Sequence, residues 1–452
     1  MSCLTMKATR TTAQTGNRLS DSGPIRVGML GLGNVGAGVA AVLFNKSEQL
    51  AASVGRGLKL QRALVRDPNR PRPIAPPSGV LTTDPQRIVA ADDIDVVIEL
   101  LGGLDPAREL IEASISNGKH VVTANKEVMA HHGAELLAHA AERGVDLYFE
   151  ASVGAGIPLI GPFRQNLTAN QFSAVEAIIN GTTNYILTRM AAEGSDFGAV
   201  LADAQRLGYA EPDPANDIEG HDAAYKLAVL ATLAFGIEVR PESIFREGIA
   251  GLAAADFRAA ADLGYGIKLL AIARLNDGAV EARVHPTMIP RECLLCQVGG
   301  VENAVRIQGD LIGNATFVGR GAGPEPTASA IVADLIDLAH NLALGAHARV
   351  PLRVGASCSF RPIERVRSRY YLRLWVKDQP GVLAQIGSVF GAHEVSIAAV
   401  TQKETDDDAS LAELVIVTHQ AVEKDMQAAV AEAGGLEITD RIATLIRIED
   451  IS

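Results

Sequence analysis

The chain has 452 residues, 48% of them hydrophobic and 21% charged, a balance that suits several globular domains of roughly 100–200 residues each and rules out pervasive disorder. Lys and Arg total 41 against 53 Asp and Glu, a net charge of −12 that excludes a generally basic surface for coating nucleic acid. No apolar run reaches about 18 residues, so no membrane-spanning helix is expected, and four cysteines (Cys3, Cys293, Cys296, Cys358) are too few for a disulfide framework, which points to a reducing, cytoplasmic setting.

Residues 1–23 are polar and rich in Thr and Ser, without an apolar signal segment, so a disordered tail is expected. Order is expected from Pro24. Ile25–Leu30 reads as a buried strand, followed by Gly31-Leu-Gly33-Asn34-Val35-Gly36 and a helical pattern to about Leu50. Apolar runs at 58–65, 94–101, 120–123 and 145–149 read as further strands, with helices at 106–117 and 126–143. This alternation predicts a doubly wound α/β domain of Rossmann type over 24–150. The Pro-rich segment 67–78 reads as a surface loop.

The texture changes at Glu150. A Gly/Pro-rich loop (151–161) precedes an apolar run (173–180), long helices at 187–207 and 221–235, and alternating runs at 280–288 and 304–312. These predict an α+β domain on an open sheet over 151–319. A helix at 327–345 and a charged stretch at 364–369 follow, the latter suited to a linker spanning 346–369. Residues 370–448 read strand, helix, strand, strand, helix, strand. That order is ferredoxin-like, and the unit is expected to fold separately.

Three stretches carry chemistry. The glycine fingerprint follows a predicted strand and opens a helix, whose free N–H groups suit a pyrophosphate. Gly31, Gly33, Asn34, Val35 and Gly36 are therefore expected to contact a dinucleotide. At the end of the next strand, Arg66 would suit the 2′-phosphate of NADP, while Asp67 would suit the ribose hydroxyl of NAD. The pair leans toward NADP and leaves NAD open. The strand at 120–123 delivers Thr123-Ala-Asn125-Lys126 at its carboxyl end, where Lys126 could hold a substrate carboxylate.

The third stretch, from Gly208 to Lys226, places five acids within twelve residues: Glu211, Asp213, Asp217, Glu219 and Asp222. Ala215 and Ile218 stand where an EF-hand loop needs an acid or amide and a glycine, so an EF-hand is excluded. The carboxylates suit an ammonium group. Asp222 and Lys226 are four apart on one helix face and should pair, with Lys226 placed for proton delivery to an alkoxide. A solvated acidic loop before an amphipathic helix explains this stretch alone equally well. Cys293-Leu-Leu-Cys296 lacks a second pair for zinc and reads as structural. His131 and His132 face different ways on one helix.

The fingerprint resembles the homoserine dehydrogenase family when read with Val122-Thr-Ala-Asn-Lys126, the segment from Glu150 to Pro158, Asn180-Gly-Thr-Thr-Asn184, Gly208-Tyr-Ala-Glu211 and the segment from Gly319 to Ser329. Tyr370 to Ala384, with Asp378-Gln-Pro-Gly381, is similar to an ACT domain. The resemblance implies NAD(P)H reduction of L-aspartate 4-semialdehyde to L-homoserine, a step toward threonine and methionine. It implies Lys226 as proton donor oriented by Asp222, and Glu211, Asp217 and Thr182 as substrate contacts. Lys126 would touch substrate or cofactor. Gly323 would touch cofactor within a segment, 320–345, that returns to complete the first domain. Glu150 and the carbonyls of Val153, Ala155 and Ile157 match a monovalent-cation site for sodium or potassium. A homodimer or homotetramer through the central sheet is implied, as is L-threonine as effector at Asp378, Gly381, Val382 and Leu383. No aspartokinase segment is present, so a monofunctional enzyme is expected. Asn34, where threonine is common, and Glu302, where an apolar residue is common, depart from the family pattern.

Two alternatives remain at this point. A non-catalytic, cofactor-bound amino-acid sensor would lack Lys226 or its acids, and both are present. Another NAD(P)-dependent amino-acid or semialdehyde dehydrogenase of the acylating kind would need a cysteine nucleophile at a strand end, and none stands there.

Overall fold

A computed structural model describes residues 23–347, 349, 352, 354–355, 359–403 and 411–451. The expected N-terminal tail, Cys3, Cys358 and part of the 346–369 segment lie outside the described residues.

The first unit is a six-stranded parallel sheet in the order 81–82, 58–64, 25–30, 96–99, 120–123, 147–148. This is the doubly wound order in which the winding direction reverses beside the first strand, where such sheets bind ligands. The strand Leu81–Thr82 and the short helix Gln86–Val89 were not expected; each is too brief to show a period. The helix Pro324–Ala343 packs back onto this unit. Leu335 and Leu338 share a buried cluster with Val27 and Ile98, and a Cβ on Gly38 would lie 3.0 Å from the Pro324 carbonyl oxygen.

The second unit carries antiparallel strands Phe172–Ile178, Tyr265–Asn276, Ala279–Pro290, Glu302–Gly309 and Gly313–Arg320. Its sheet is mixed rather than simply open: Ala279–Pro290 continues, through parallel pairing of Thr287 with Arg447 and Met288 with Ile448, into the sheet of the C-terminal unit. The helix expected over 187–207 is two helices, Gly181–Glu193 and Phe197–Arg206. Gly194 ends the first in the left-handed region (φ 65°), its N–H bonded to the Met190 carbonyl, a conformation that glycine adopts without a Cβ penalty.

The C-terminal unit has strands Arg367–Lys377, Ile397–Lys403, Leu411–Thr418 and Thr439–Ile448, with helices Val382–Ala392 and Glu423–Gly434. Its order follows the expected ferredoxin-like plan. The charged stretch at 364–369 is only partly a connector, because the first strand already starts at Arg367.

Candidate functional site

Three helix starts converge on one cluster. Lys126 is the first residue of helix Lys126–Arg143, Asn180 caps helix Gly181–Glu193, and Asp222 lies in the first turn of helix His221–Phe235. Helix starts favour negative charge, so Asp222 is well placed and Lys126 needs a counter-ion. The fold supplies it. Lys126 Nζ lies 2.6 Å from Asp222 Oδ1, and Lys226 Nζ lies 2.7 Å from Asp222 Oδ2.

Asp222 is 2% exposed. Burial alone would raise its pKa, but the two ammonium groups hold it well below the usual carboxylate range. Burial pulls the Lys126 ammonium down, yet the Asp222 charge outweighs this and its pKa is raised. Both ions stay charged across the neutral range. Lys226 also donates to the Ile179 carbonyl at 2.9 Å. Two of its three protons are thus engaged, and one is left to offer.

The amide of Asn180 donates to Asp217 Oδ1 at 2.7 Å and to Asp222 Oδ2 at 2.9 Å. Asn180 stands in the Asn180-Gly-Thr-Thr-Asn184 motif, where no role was expected of it. Its available signal was the Asn-Gly-Thr-Thr start of a helix, typical of a cap. Thr182 is half-buried, and its hydroxyl donates to the Tyr209 carbonyl at 2.7 Å, tying down the loop that carries Glu211. Glu211 itself is exposed on that loop. The structure therefore brings Lys126, Asn180, Asp217, Asp222 and Lys226 together, with Glu211 on an adjoining tethered loop.

The glycine turn fits a dinucleotide. A Cβ on Gly36 would stand 2.4 Å from the Gly31 carbonyl oxygen, which only glycine permits, while a Cβ on Gly33 would meet open space. Helix Asn34–Asn45 begins without a side-chain cap, and the first N–H bonded back along the backbone is that of Ala37. Among the described residues the N–H groups of Asn34, Val35 and Gly36 have no partner, which suits a pyrophosphate. Arg66 is exposed just past the neighbouring strand, whose Leu64 pairs with Leu30. Gly323 caps the returning helix Pro324–Ala343 beside the same turn.

Buried Glu150 turns its carboxylate away from a simple ligand role. Oε1 accepts from Leu159 N at 2.6 Å and Ile160 N at 2.9 Å, and Oε2 from Gly161 N at 2.6 Å. The buried carbonyls of Val153, Ala155 and Ile157 take no part in backbone hydrogen bonding among the described residues. Ala155 is held at φ 21°, in a region costly for a residue with a Cβ. Free buried carbonyls need a partner, and a hard cation is one.

At the C-terminal unit, Gly381 (φ 91°) caps helix Val382–Ala392 without side-chain help, with Leu383 half exposed. Gln402 donates to Asp378 Oδ1 at 3.3 Å. Cys293 and Cys296 are both free thiols. No described helix is long and apolar enough to cross a membrane.

Comparison with known proteins decides the family. A model described as homoserine dehydrogenase matches residues 158–336, its NAD-binding domain matches 31–150, and an ACT domain model matches 370–435. The homoserine dehydrogenase of Neisseria gonorrhoeae is 42% identical over 434 residues, covering 95% of this chain and 99% of the relative. The chain belongs to the homoserine dehydrogenase family. It is an oxidoreductase with a nicotinamide-binding Rossmann domain, a catalytic domain and an ACT domain. The homoserine dehydrogenase of Pseudomonas aeruginosa is likewise 42% identical, over 95% of this chain and 100% of that one. A crystal structure of a homoserine dehydrogenase from Thiobacillus denitrificans superposes with a TM-score of 0.90 at 44% identity, covering 96% of this chain and 100% of that chain. A hyperthermophilic archaeal homoserine dehydrogenase in complex with NADPH aligns at a TM-score of 0.59 and 26% identity, over 70% of this chain and 97% of that one.

Proposed function

We propose that this homoserine dehydrogenase reduces L-aspartate 4-semialdehyde to L-homoserine with NADPH, NADH being the second choice, and that Lys226 delivers the proton. The observation that carries the reading is Lys226 itself, with two protons fixed by Asp222 and Ile179 and the third free. When bound, the reduced cofactor supplies a hydride to the aldehyde carbon. Negative charge then grows on the carbonyl oxygen, and the ammonium of Lys226 stabilises it and gives up its proton. Asp222 keeps the ammonium of Lys226 aimed. Asp217 and Glu211 hold the substrate ammonium, and Thr182 keeps the Glu211 loop in place. Lys126 neutralises the rest of the Asp222 charge and faces the substrate carboxylate or cofactor.

Arg66 takes the 2′-phosphate, and Gly31, Gly33, Asn34, Val35, Gly36 and Gly323 hold the dinucleotide backbone. The domains run over 24–150 with 320–345, 151–319 and 370–448. The carbonyls of Val153, Ala155 and Ile157 hold sodium or potassium, with Glu150 shaping the loop. The enzyme works as a cytoplasmic homodimer or homotetramer. L-Threonine binds at Asp378, Gly381, Val382 and Leu383 and inhibits, placing the enzyme in threonine and methionine biosynthesis.

The test is oxidation of NADPH and NADH with L-aspartate 4-semialdehyde, with and without L-threonine, for the parent and Lys226→Ala. The variant should fold yet lose turnover by roughly 10²–10⁴-fold. A loss smaller than about tenfold would move the proton to another group. Full activity in saturating threonine, with no heat of binding, would remove the effector.

A further inference from the structure

Asn180 is 5% exposed and meets both carboxylates of the cluster. Which end of its amide does so is fixed by the helix it caps. Oδ1 accepts from Thr183 N at 2.9 Å and from the Thr183 hydroxyl at 3.0 Å, so it must be the oxygen. Both amide hydrogens then point the other way, one to Asp217 and one to Asp222. Backbone and side chain also act on the same lysine: the Ile179 carbonyl, one residue earlier, receives Lys226 Nζ.

We propose that Asn180 is a positioning residue for the reaction: its amide sets the orientation of Asp222, and through it the free proton of Lys226, while holding Asp217 within reach of the substrate ammonium. This rests on Lys226 as proton donor and Asp217 as substrate contact. The charged groups facing the amide are Asp217 and Asp222; Lys226 shares Asp222 Oδ2 with the amide, Lys126 holds Oδ1, and Glu127 lies beside Lys126. The amide is the only neutral donor to Asp222 among the described residues. Without it, Asp217 loses its clamp and Asp222 can turn about its bond toward either lysine.

The test separates this role from capping. Aspartate and serine cap helices about as well as asparagine, so Asn180→Asp and Asn180→Ser should keep thermal midpoints within a few degrees. Asn180→Asp replaces the donor with a third carboxylate facing two others, which favours an extra proton in the cluster. Its kcat/KM should fall about 10²-fold, a loss typical of a displaced reacting group, and the acid limb of its pH profile should rise by about one unit or more. Asn180→Ser reaches neither carboxylate. It should raise KM and lower kcat together, with the acid limb unmoved. Parent kcat, KM and pH profile in both variants would make Asn180 a cap only and overturn the proposal. Should Asn180→Asp fail to fold, the kcat and KM of Asn180→Ser decide. Full activity in Lys226→Ala would instead overturn the reading on which this one rests.

Discussion

Asp222→Asn is the most searching change to the cluster, because it keeps shape and one acceptor while removing the charge two ammonium groups share. Both nitrogens lie within 2.7 Å of the carboxylate, which is 2% exposed. An ion pair in such surroundings is worth about 4 kcal/mol at an effective dielectric constant near 20. Removing one partner of a buried pair costs about 3–5 kcal/mol. The variant can escape part of this by releasing a proton from one lysine, which is cheaper than keeping two unpaired ammonium ions side by side. If Lys226 loses it, the neutral amine left behind is no longer an acid that can protonate the alkoxide. Since tenfold in rate is about 1.4 kcal/mol, kcat should fall by about 10²-fold or more. The alkaline limb of the pH profile should move to lower pH, and the thermal midpoint should drop. The assay is steady-state oxidation of reduced cofactor across pH 6–10, beside a thermal melt. Turnover within tenfold of the parent with an unmoved alkaline limb would show that Asp222 does not govern proton delivery by Lys226.

Arg66→Ala should weaken NADPH more than NADH, because only NADPH carries the 2′-phosphate; equal changes in KM would make Arg66 a surface charge. Glu99 is fully buried at the carboxyl end of its strand, accepting from Thr123 Oγ1 at 2.6 Å and Leu101 N at 2.7 Å, and burial raises its pKa despite these bonds. Its stabilising contribution is present below the unfolded pKa of about 4.3 and lost as pH rises through the folded one. Glu99→Gln should therefore match the parent near pH 4 and exceed its thermal midpoint at pH 7; parallel curves would contradict this. Asp256→Ala leaves Arg373 with Glu413 at 3.2 Å as its remaining counter-ion and the Thr444 hydroxyl at 3.3 Å, and should cost about 3–5 kcal/mol, seen as a lower midpoint by about 2–4 °C per kcal/mol. An unchanged midpoint would mean this buried pair adds nothing to the junction.

Local signals made much of this molecule legible. The Asp222–Lys226 pair followed from a spacing of four, and the doubly wound parallel sheet from alternating strands and helices. The fingerprint glycines needed only a strand before them and a helix after. What escaped had one of two causes. Some signals were present but passed over. Asn276-Asp277-Gly278, with φ of 53° at Asp277 and 73° at Gly278, is a two-residue hairpin turn, so the strand Tyr265–Asn276 was readable. Gly194-Ser-Asp196 likewise marks one helix end and the next start. Other features had no local signal at all. Nothing near Lys126 announces that its partner lies on a helix starting at His221, and no residue pattern shows Glu150 spending both oxygens on the backbone of a later turn.

The C-terminal unit shows how far local reading carries. Its alternating pattern gives the four long strands, though not the short Ala421–Val422, because Tyr370, Leu372, Leu374 and Val376 face helices Val382–Ala392 and Glu423–Gly434 in one buried cluster. The same pattern hides the opposite face. Tyr371, Val415, Val417, Ile446 and Ile448 belong to the core of the catalytic domain, as period-two alternation requires of a sheet covered on both sides. Arg447 is 1% exposed and bonds Glu423 of its own unit at 2.6 Å and Glu247 of the catalytic domain at 2.7 Å. Fully buried Arg283 meets Glu449 at 2.5 Å, and Arg274 bridges Glu449 to Glu176 at 2.9 Å each. Glu176 sits on the strand that runs on to Ile179 and Asn180. The expectation of a separately folding unit therefore meets a shared core and shared ions. Ending the chain near residue 360 would strip Arg373 from Asp256 and Glu449 from Arg283, exposing apolar surface of the shared core and leaving Asp256 and Arg283 without these counter-ions. Any effector bound near Gly381 acts on a unit already welded to the strand beneath the lysine cluster, so its effect is separable from catalysis only by changes at the binding turn.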